Sequence, residues 1–306
     1  VELERVSYSD KYHHIRYGDK KAHILIEGTI PSNGSNVTLY NEKHSNVYLT
    51  TKTTWVYSSA STGSKQIGYI NAGQKLPNIK KEGTWFVIQY GGHKGYIHPT
   101  RAVPVYQSLV TSNVTYTYDQ MGVDIKELEV MYDGLVKSEI IGKSVDGRNL
   151  YAVKLGTGKK EIFFNGSHHA REHMTTNLLM EMIDTYAYSS VKGTKIKGYN
   201  TRSILNQVSI WFVPMVNPDG VTLVQKGHTS AKNPAAVLKL NGGSTNFKAW
   251  KANIRGVDLN RQYTPNWGKI KVTNPGPKNY KGTKAFSEPE VVNLVRFVRK
   301  HNFKSA

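Results

Sequence analysis

Apolar and polar residues alternate along the first third of the chain, and the pattern is strongest in two similar segments. The segments are YHHIRYGDKKAHI at residues 12–24 and WFVIQYGGHKGYI at residues 85–97. Alternation on both sides of a glycine-containing turn predicts a β-hairpin in each segment. Ile15 of the first segment recurs as Ile88 of the second, and other positions recur at the same offset. We therefore interpret the two segments as copies of one repeat.

The repeat predicts small all-β domains at the front of the chain. The second copy is preceded by a long strand-like stretch that starts at residue 47, so we predict a complete domain over residues 47–104. The first copy lacks this stretch, so residues 1–40 are predicted to be the C-terminal part of an equivalent domain. A polar, threonine-rich segment follows the second copy and predicts a linker over residues 105–115.

The remaining residues, 116–306, alternate helix-like and strand-like segments. Apolar residues recur at helical spacing in MGVDIKELEVMYDGL and in SEPEVVNLVRFVRKHN, and Ser287 and Glu290 open the second segment at capping-box spacing. Apolar runs in NLYAVKLG, EIFFNG and VSIWFVPMV predict strands between the helices. The alternation predicts an α/β domain with a largely parallel sheet flanked by helices, and a site beyond the carboxyl ends of the strands.

Charge and composition restrict the partners and the chemistry. The chain has 41 Lys and Arg against 22 Asp and Glu, a formal net charge of +19. This excess favours an anionic partner such as nucleic acid, acidic lipid or anionic cell wall. Since no basic run with interleaved aromatic residues stands out, we do not expect nucleic acid, and no apolar run reaches the length of a membrane span. Cysteine is absent, so a metal would be held by histidine and carboxylate.

The densest chemistry lies in the sequence SHHAREH at residues 167–173, directly after a predicted strand. Three interpretations compete for it. His169 and Glu172 have the H-x-x-E spacing of a zinc ligand pair. With His173 they also form H-x-x-E-H, the inverted zincin pattern, in which the glutamate is the base and not a ligand. The third interpretation is a set of solvated polar residues at the start of a helix.

Five motifs support the first interpretation, because they occur in one order at compatible spacings. They are GKSVDGRNLYAVKLG, EIFFNGSHHAREHMTT, WFVPMVNPDGV, RGVDLNRQY and SEPEVVNLVRFV. Together they resemble a zinc metallocarboxypeptidase of the carboxypeptidase A type over about residues 116–306. The resemblance implies a mixed sheet, a zinc cofactor, and His169 and Glu172 as zinc ligands. The inverted zincin interpretation then loses its support, and His168 and His173 become neighbours of the site.

Residues 47–104 resemble a bacterial SH3-like domain. The likeness lies in a loop rich in Ser, Thr and Gly, followed by IGYINAGQKL and GTWFVIQYGGHKGYIHPTRAV. Domains of this family commonly bind peptidoglycan, so an anionic cell wall is the expected partner of this domain. The alternative is a spacer barrel without a ligand, since a fold does not by itself determine a function.

The metallocarboxypeptidase resemblance also implies residues that bind substrate. They are Arg171, Asn260 and Arg261. An arginine fork meets a carboxylate in bidentate fashion, which suits Arg261 to a terminal carboxylate. A further cation is expected to stabilise the oxyanion, and both Lys251 and Arg255 are candidates. Asp219 is interpreted as a turn residue and Asp258 as a support for its loop.

The same resemblance implies residues that are not found in this sequence. The third zinc ligand is a histidine on the strand after the last helix, and the general base is a later glutamate, so both are expected beyond Ala306. His301 precedes that strand and is interpreted as a non-ligand. Without these groups we predict that the chain alone is inactive, and that a complementary C-terminal fragment would restore activity.

The combined features predict a bacterial, extracellular or cell-wall-associated zinc peptidase. The most similar group is the γ-D-glutamyl-L-diamino acid peptidases, which cut peptidoglycan stem peptides through metal-activated water. One alternative is a general zinc carboxypeptidase that removes C-terminal residues from peptides. The other is a non-catalytic cell-wall-binding protein that keeps the peptidase fold.

Overall fold

The computed structural model describes residues 5–8, 12–17, 20–25, 47–77, 80–90, 93–106, 108–111, 114–265 and 267–305. The chain divides into two compact units, Val1–Gln107 and Ser108–Ala306. No helix in the described part of the chain is long and apolar enough to cross a membrane.

The predicted first repeat is described through its backbone strands. These are β1 (Arg5–Tyr8), β2 (Tyr12–Tyr17) and β3 (Lys20–Leu25). They form an antiparallel sheet in the order β1-β2-β3, and β2 with β3 is the hairpin predicted from the alternation. Residues 26–40 of the predicted first repeat lie outside the described residues.

The second repeat forms two small antiparallel sheets. Its strands are β4 (Val47–Thr50), β5 (Thr54–Tyr57), β6 (Gln66–Ile70), β7 (Lys75–Pro77), β8 (Lys80–Glu82), β9 (Trp85–Tyr90), β10 (His93–Ile97) and β11 (Ala102–Val105). The orders are β6-β5-β10-β9-β8 and β11-β4-β7. The architecture is the all-β, SH3-like type that the sequence predicts.

Buried and exposed side chains alternate along β5, so that one face of the strand lies in the core of this unit and the other on its surface. Val56 is fully buried, whereas the next-door Trp55 is 49% exposed, as expected for a strand with one buried face. Tyr90 is also a core residue, and its hydroxyl accepts from the Tyr69 amide and donates to the Tyr69 carbonyl. A Cβ at Gly68 would lie 2.1 Å from that hydroxyl, so glycine is required there.

The second unit is built around a four-stranded mixed sheet. Its strands are β12 (Val136–Lys143), β13 (Asn149–Leu155), β14 (Lys160–Asn165) and β17 (Val208–Val213), with a small hairpin of β15 (Lys195–Ile196) and β16 (Tyr199–Asn200). Its helices are α1 (Tyr118–Met131), α2 (Met174–Lys192), α3 (Thr201–Gln207), α4 (Pro218–Lys226), α5 (Pro234–Leu240) and α6 (Pro289–Arg299).

The central sheet has the order β12-β13-β17-β14. β14 and β17 are parallel, whereas β12 with β13 and β13 with β17 are antiparallel. A parallel bridge between Glu161 and Phe303 adds the end of the chain beside β14. The α/β architecture with a mixed sheet agrees with the prediction, and the parallel pair β14–β17 is the part that positions the site.

Helix α6 covers one face of the sheet, but it begins differently from the prediction. Val291, Leu294 and Phe297 pack with Phe163 and Trp211 in one core cluster. The predicted capping box between Ser287 and Glu290 is wrong. The N-cap is Glu288, because Pro289 occupies the first helical position, and a carboxylate oxygen of Glu290 instead accepts from the Val145 amide.

Candidate metal and substrate site

The site lies where the parallel strands β14 and β17 end. The loop after β14 starts at Gly166, and the loop after β17 leads to Asn217. The two loops are bonded to each other, because the amides of Val216 and Asn217 donate to the carbonyls of Gly166 and Ser167, both at 3.0 Å. The carboxyl ends of neighbouring parallel strands therefore meet here, as open α/β sheets predict.

Ser167 holds the first loop in an uncommon backbone conformation. Its φ is +50°, a left-handed value that few non-glycine residues adopt. The Ser167 amide donates to the Thr175 hydroxyl at 2.8 Å, and its own hydroxyl lies 2.7 Å from that of Thr176. These contacts to the start of α2 fix the turn, so the chain enters residues 168–173 in one defined direction.

His169 and Glu172 face each other across one 3₁₀ turn. The turn covers Ala170–Glu172, and Nδ1 of His169 lies 3.0 Å from both carboxylate oxygens of Glu172. On the other side of the ring, Nε2 lies 3.2 Å from Oδ1 of Asp258. The imidazole is therefore held between a half-exposed carboxylate and a buried one.

Asp258 connects His169 to two other segments. Its side chain is almost fully buried, and Oδ1 also accepts from the Asn260 amide at 3.1 Å, while Oδ2 accepts from the Asn279 amide at 3.0 Å. Burial alone would raise the pKa of Asp258, but the hydrogen bonds from His169 and Asn279 outweigh it and lower the pKa. The bond to Asp258 in turn raises the pKa of His169 against the effect of burial.

The neighbouring histidines do not join this pair. His168 lies 2.8 Å from the Tyr263 hydroxyl through Nε2, and burial, reinforced by the charge of His169, lowers the pKa of His168 to about 4. His173 is the residue before α2. His301 lies 3.0 Å from a Glu161 carboxylate oxygen at the opposite end of β14.

The predicted substrate residues surround the same point. Asn260 and Arg261 lie in the 3₁₀ turn Leu259–Arg261, which directly follows Asp258. Arg171 is exposed in the turn that carries Glu172. Within the described ranges, the side chains of Arg171 and Asn260 have no hydrogen-bond partner, and the Arg261 guanidinium donates only to the Asn260 carbonyl, at 3.4 Å.

Lys251 and Arg255 are placed differently with respect to the site. The Lys251 carbonyl accepts from the Ala170 amide at 3.0 Å, so Lys251 adjoins the turn that carries the metal candidates. The Arg255 guanidinium lies 3.7 Å from the carboxylate of Glu288, and its side chain is 56% exposed. The backbone of Lys251 therefore lies beside the turn of the metal candidates, whereas the Arg255 side chain pairs with Glu288.

Other polar residues near the site are structural. Asp219 is buried and accepts from the Ser144 hydroxyl, the Asp146 amide and the Arg148 guanidinium at 2.7–2.8 Å, so its interpretation as a simple turn residue is wrong. Asn217 caps α4 and donates to the His168 carbonyl at 3.2 Å. The sequence does not signal these contacts, because their partners lie far away in the chain.

The donors present fit part of a zinc site. Zinc takes neutral imidazole nitrogen and carboxylate oxygen, and zinc-bound histidines typically donate their second ring nitrogen to a carboxylate. His169 has this arrangement, with Nδ1 toward Glu172 and Nε2 on Asp258. In the part of the chain that the structure describes, no group of three or more His, Cys, Asp or Glu side chains could hold a metal ion. His169 and Glu172 therefore fit as two of the ligands of a zinc ion.

Comparison with known proteins identifies both units. The zinc carboxypeptidase family profile matches residues 122–306, and the bacterial SH3 domain profile matches residues 52–102. The chain is similar to gamma-D-glutamyl-L-diamino acid endopeptidase 1 of Lysinibacillus sphaericus, 37% identical over 201 residues, which cover 64% of this chain and 50% of that protein.

Two further relatives match a similar length of the chain. Uncharacterized protein YqgT of Bacillus subtilis is 34% identical over 189 residues, which cover 59% of this chain and 50% of that protein. Carboxypeptidase B of Astacus astacus is 25% identical over 187 residues, which cover 58% of this chain and 54% of that protein. The chain thus spans about half the length of the curated relatives it matches.

Proposed function

The chain belongs to the zinc carboxypeptidase family, and we propose that it acts in the hydrolysis of peptidoglycan stem peptides at the bond between a γ-D-glutamyl residue and a diamino acid. The observation that supports this most is the junction at Asp258, which joins the metal candidate His169 to the turn carrying Asn260 and Arg261. The relative from Lysinibacillus sphaericus supports the choice of bond.

His169 and Glu172 would hold the zinc ion, with Nδ1 and the carboxylate as donors. Zinc, when bound, supplies a Lewis acid that polarises a carbonyl and lowers the pKa of water. Asp258 orients the imidazole through Nε2 and keeps Nδ1 directed at Glu172. Arg261 and Asn260 would bind a carboxylate of the diamino acid, since their donors are not taken up by acceptor side chains of the described residues.

Arg171 and Lys251 would hold the rest of the substrate. Arg171 is exposed in the turn that carries Glu172 and would add a cation beside the scissile bond. Lys251 adjoins the same turn through its carbonyl, so its ammonium would stabilise the negative charge that develops on the carbonyl oxygen. Arg255 is the weaker candidate for this role, because Glu288 already pairs with it.

A third ligand and a general base would come from chain that continues the extended segment at residues 303–305. The Lys304 amide donates to the Glu161 carbonyl at 2.8 Å, and the Phe163 amide donates to the Ser305 carbonyl at 3.0 Å. This segment therefore runs parallel to β14, and a longer chain in the same direction would pass Asn165 and reach the loop that holds His169.

The SH3-like unit would hold the enzyme on the cell wall, outside the cell. A row of partly exposed aromatic rings crosses its outer face, with Trp55 against Tyr69 at 6.2 Å and Trp85 against Tyr57 at 5.6 Å. Partly exposed aromatic faces suit a ligand that contains sugar rings. Tyr90 has no part in this surface, since it is buried.

The test compares substrates and chain lengths. Hydrolysis of muropeptides and of plain C-terminal peptides, together with zinc content, is measured for residues 1–306 and for a version extended at its C-terminus, with the extension in the same chain or added as a fragment. We expect zinc binding and muropeptide cleavage by the extended form. Equal cleavage of plain peptides would favour a general carboxypeptidase. Sacculus binding without cleavage by any form would favour a non-catalytic wall-binding protein.

A further inference from the structure

Lys281 lies on a loop that is joined to the site by two hydrogen bonds. Its neighbour Asn279 donates its amide to Asp258, the carboxylate that holds His169. Its own carbonyl accepts from the side chain of Gln262, a fully buried residue that directly follows Arg261. The backbone at Lys281 is therefore fixed beside the turn that carries the carboxylate-binding candidates Asn260 and Arg261.

The ammonium group of Lys281 is held over an aromatic ring. It lies 4.3 Å from the centre of the Trp267 ring, and the Trp267 indole N–H donates to the Lys281 carbonyl at 3.0 Å. An ammonium over an indole face is attracted by the ring, which limits the positions of the long side chain. Lys281 is thus more ordered than an ordinary surface lysine.

The charge of Lys281 is not matched by any nearby carboxylate of the described residues. Its ammonium donates only to the Trp267 carbonyl, at 3.5 Å, and makes no ion pair with a described side chain. The sequence has no acidic residue between Asp258 and Glu288, and that interval contains several cations: Arg261, Lys269, Lys271, Lys278, Lys281 and Lys284. An ordered cation without an internal anion is suited to an external one.

We propose that Lys281, stacked on Trp267, is a specificity-determining residue that binds a second carboxylate of the substrate, in addition to the one bound by Asn260 and Arg261. This inference rests on the proposed function. A γ-D-glutamyl-diamino acid peptide offers two sources for that carboxylate: the α-carboxylate of the glutamyl residue, and a distal carboxylate on the diamino acid. Both present the same chemistry to the ammonium group.

The experiment measures binding of synthetic γ-D-glutamyl-L-diamino acid dipeptides to the full chain by NMR titration. One pair of ligands differs in a free or amidated glutamyl α-carboxylate, and the other pair differs in the presence of a distal carboxylate on the diamino acid. The proteins are wild type, Lys281→Gln, Lys281→Arg and Lys271→Gln. Lys271 is an exposed lysine of the same loop. Its replacement by Gln changes the net charge as Lys281→Gln does, and it therefore serves as the matched control.

We expect wild type to bind the carboxylate form of one pair about fivefold more tightly than its partner, the effect of one partly exposed ion pair. Lys281→Gln should abolish that preference, whereas Lys281→Arg and Lys271→Gln should keep it. The pair that shows the preference identifies the carboxylate. A preference that persists in Lys281→Gln, or its absence from wild type, overturns the inference and leaves the proposed function in place. If no dipeptide binds to any of the four proteins, the inference fails, and muropeptide cleavage by the C-terminally extended form decides the proposed function separately.

Discussion

Asp219 and Asp258 are buried to the same degree, each 1% exposed, but their partners differ. Asp219 accepts only from groups that are themselves part of the packed structure, including the Arg148 guanidinium at 2.8 Å. Asp258 accepts from His169, whose other ring nitrogen faces the half-exposed carboxylate of Glu172. The hydrogen bonds of Asp219 thus stay within the packed interior. Asp258, in contrast, is bonded to His169, whose other ring nitrogen faces a half-exposed carboxylate.

This difference shows how a buried acid can be assigned a role. Burial and full hydrogen bonding are common to both residues, so neither property separates structure from chemistry. The separating property is the second partner: Arg148 is satisfied within the fold, whereas Nδ1 of His169 faces Glu172, the other candidate zinc ligand. Matched Asp→Asn variants can test the distinction, because they change charge with little change in shape.

The largest effect on folding is expected for Asp219→Asn. The variant removes the nearer of the two carboxylates that pair with the largely buried Arg148 guanidinium, Asp219 at 2.8 Å against Asp146 at 3.8 Å. Removing one partner of a buried pair costs about 3–5 kcal/mol. Zinc affinity should be unchanged, since Asp219 does not contact His169 or Glu172. Urea unfolding and a zinc competition assay on the same preparation check both statements. If Asp219→Asn lost zinc affinity but kept its stability, Asp219 would belong to the metal site and not to the structural network.

Glu290 extends the structural side of the comparison to pH. Burial, with added repulsion from Asp219 and Glu288, raises the pKa of Glu290 to about 7 from 4.5. Between these two pH values the folded protein keeps the Glu290 proton, whereas the unfolded chain has lost it, so a rise in pH favours unfolding. The stabilising contribution of this proton is complete below about pH 4.5 and is lost as pH rises through 7. The loss amounts to about 3 kcal/mol.

The measurement for Glu290 is the free energy of unfolding between pH 4.5 and 8, in wild type and in Glu290→Gln. Glutamine imitates the protonated acid and still accepts from the Val145 amide. As the pH rises from 4.5, the free energy of unfolding of wild type should fall relative to that of Glu290→Gln. The difference should become constant above about pH 7. Parallel curves would show that the pKa of Glu290 is not raised.

Asp258→Asn addresses the other side of the comparison. Its effect on zinc should be a loss of affinity of about 10- to 100-fold, the usual result of removing the carboxylate behind a metal-binding histidine. Some stability will also be lost, because the Asn279 amide loses an acceptor. Zinc titration of the C-terminally extended chain measures the effect, with Asp219→Asn as the matched control. Equal zinc affinities in the two variants would remove Asp258 from the metal site.

Local spacing was sufficient to predict some of these features. A separation of three residues lets His169 and Glu172 face each other across one turn, and the order of the five motifs selects this pair among the three interpretations of the segment. The hairpin of β9 and β10 and the helix α6 follow from periods of two and 3.6 residues. In each case the interacting residues are close in sequence, so a pattern in the sequence determines the contact.

Long-range contacts could not be predicted in this way. His169 and Asp258 are 89 residues apart, and Arg148 and Asp219 are 71 residues apart, so no spacing rule links them. The sequence NPDG reads as a turn because its residues favour turns, yet here it begins α4, and the packing of the loop around Ser144 determines the role of Asp219. Tertiary structure decided these roles, and local preference did not.

The smallest effects are expected from a pair of variants that separates Lys251 from Arg255. Arg255→Gln removes an ion pair whose arginine is 56% exposed, so the free energy of unfolding should fall by less than about 1 kcal/mol. Lys251→Gln should be equally mild for stability, since its contacts to Ala170 and Pro277 are made by the backbone. The two variants should differ in cleavage by the extended chain: Lys251→Gln lowers kcat/KM and Arg255→Gln does not, because only Lys251 adjoins the turn that carries Glu172. The opposite result would assign the oxyanion to Arg255 and show that its pairing with Glu288 is broken when substrate binds.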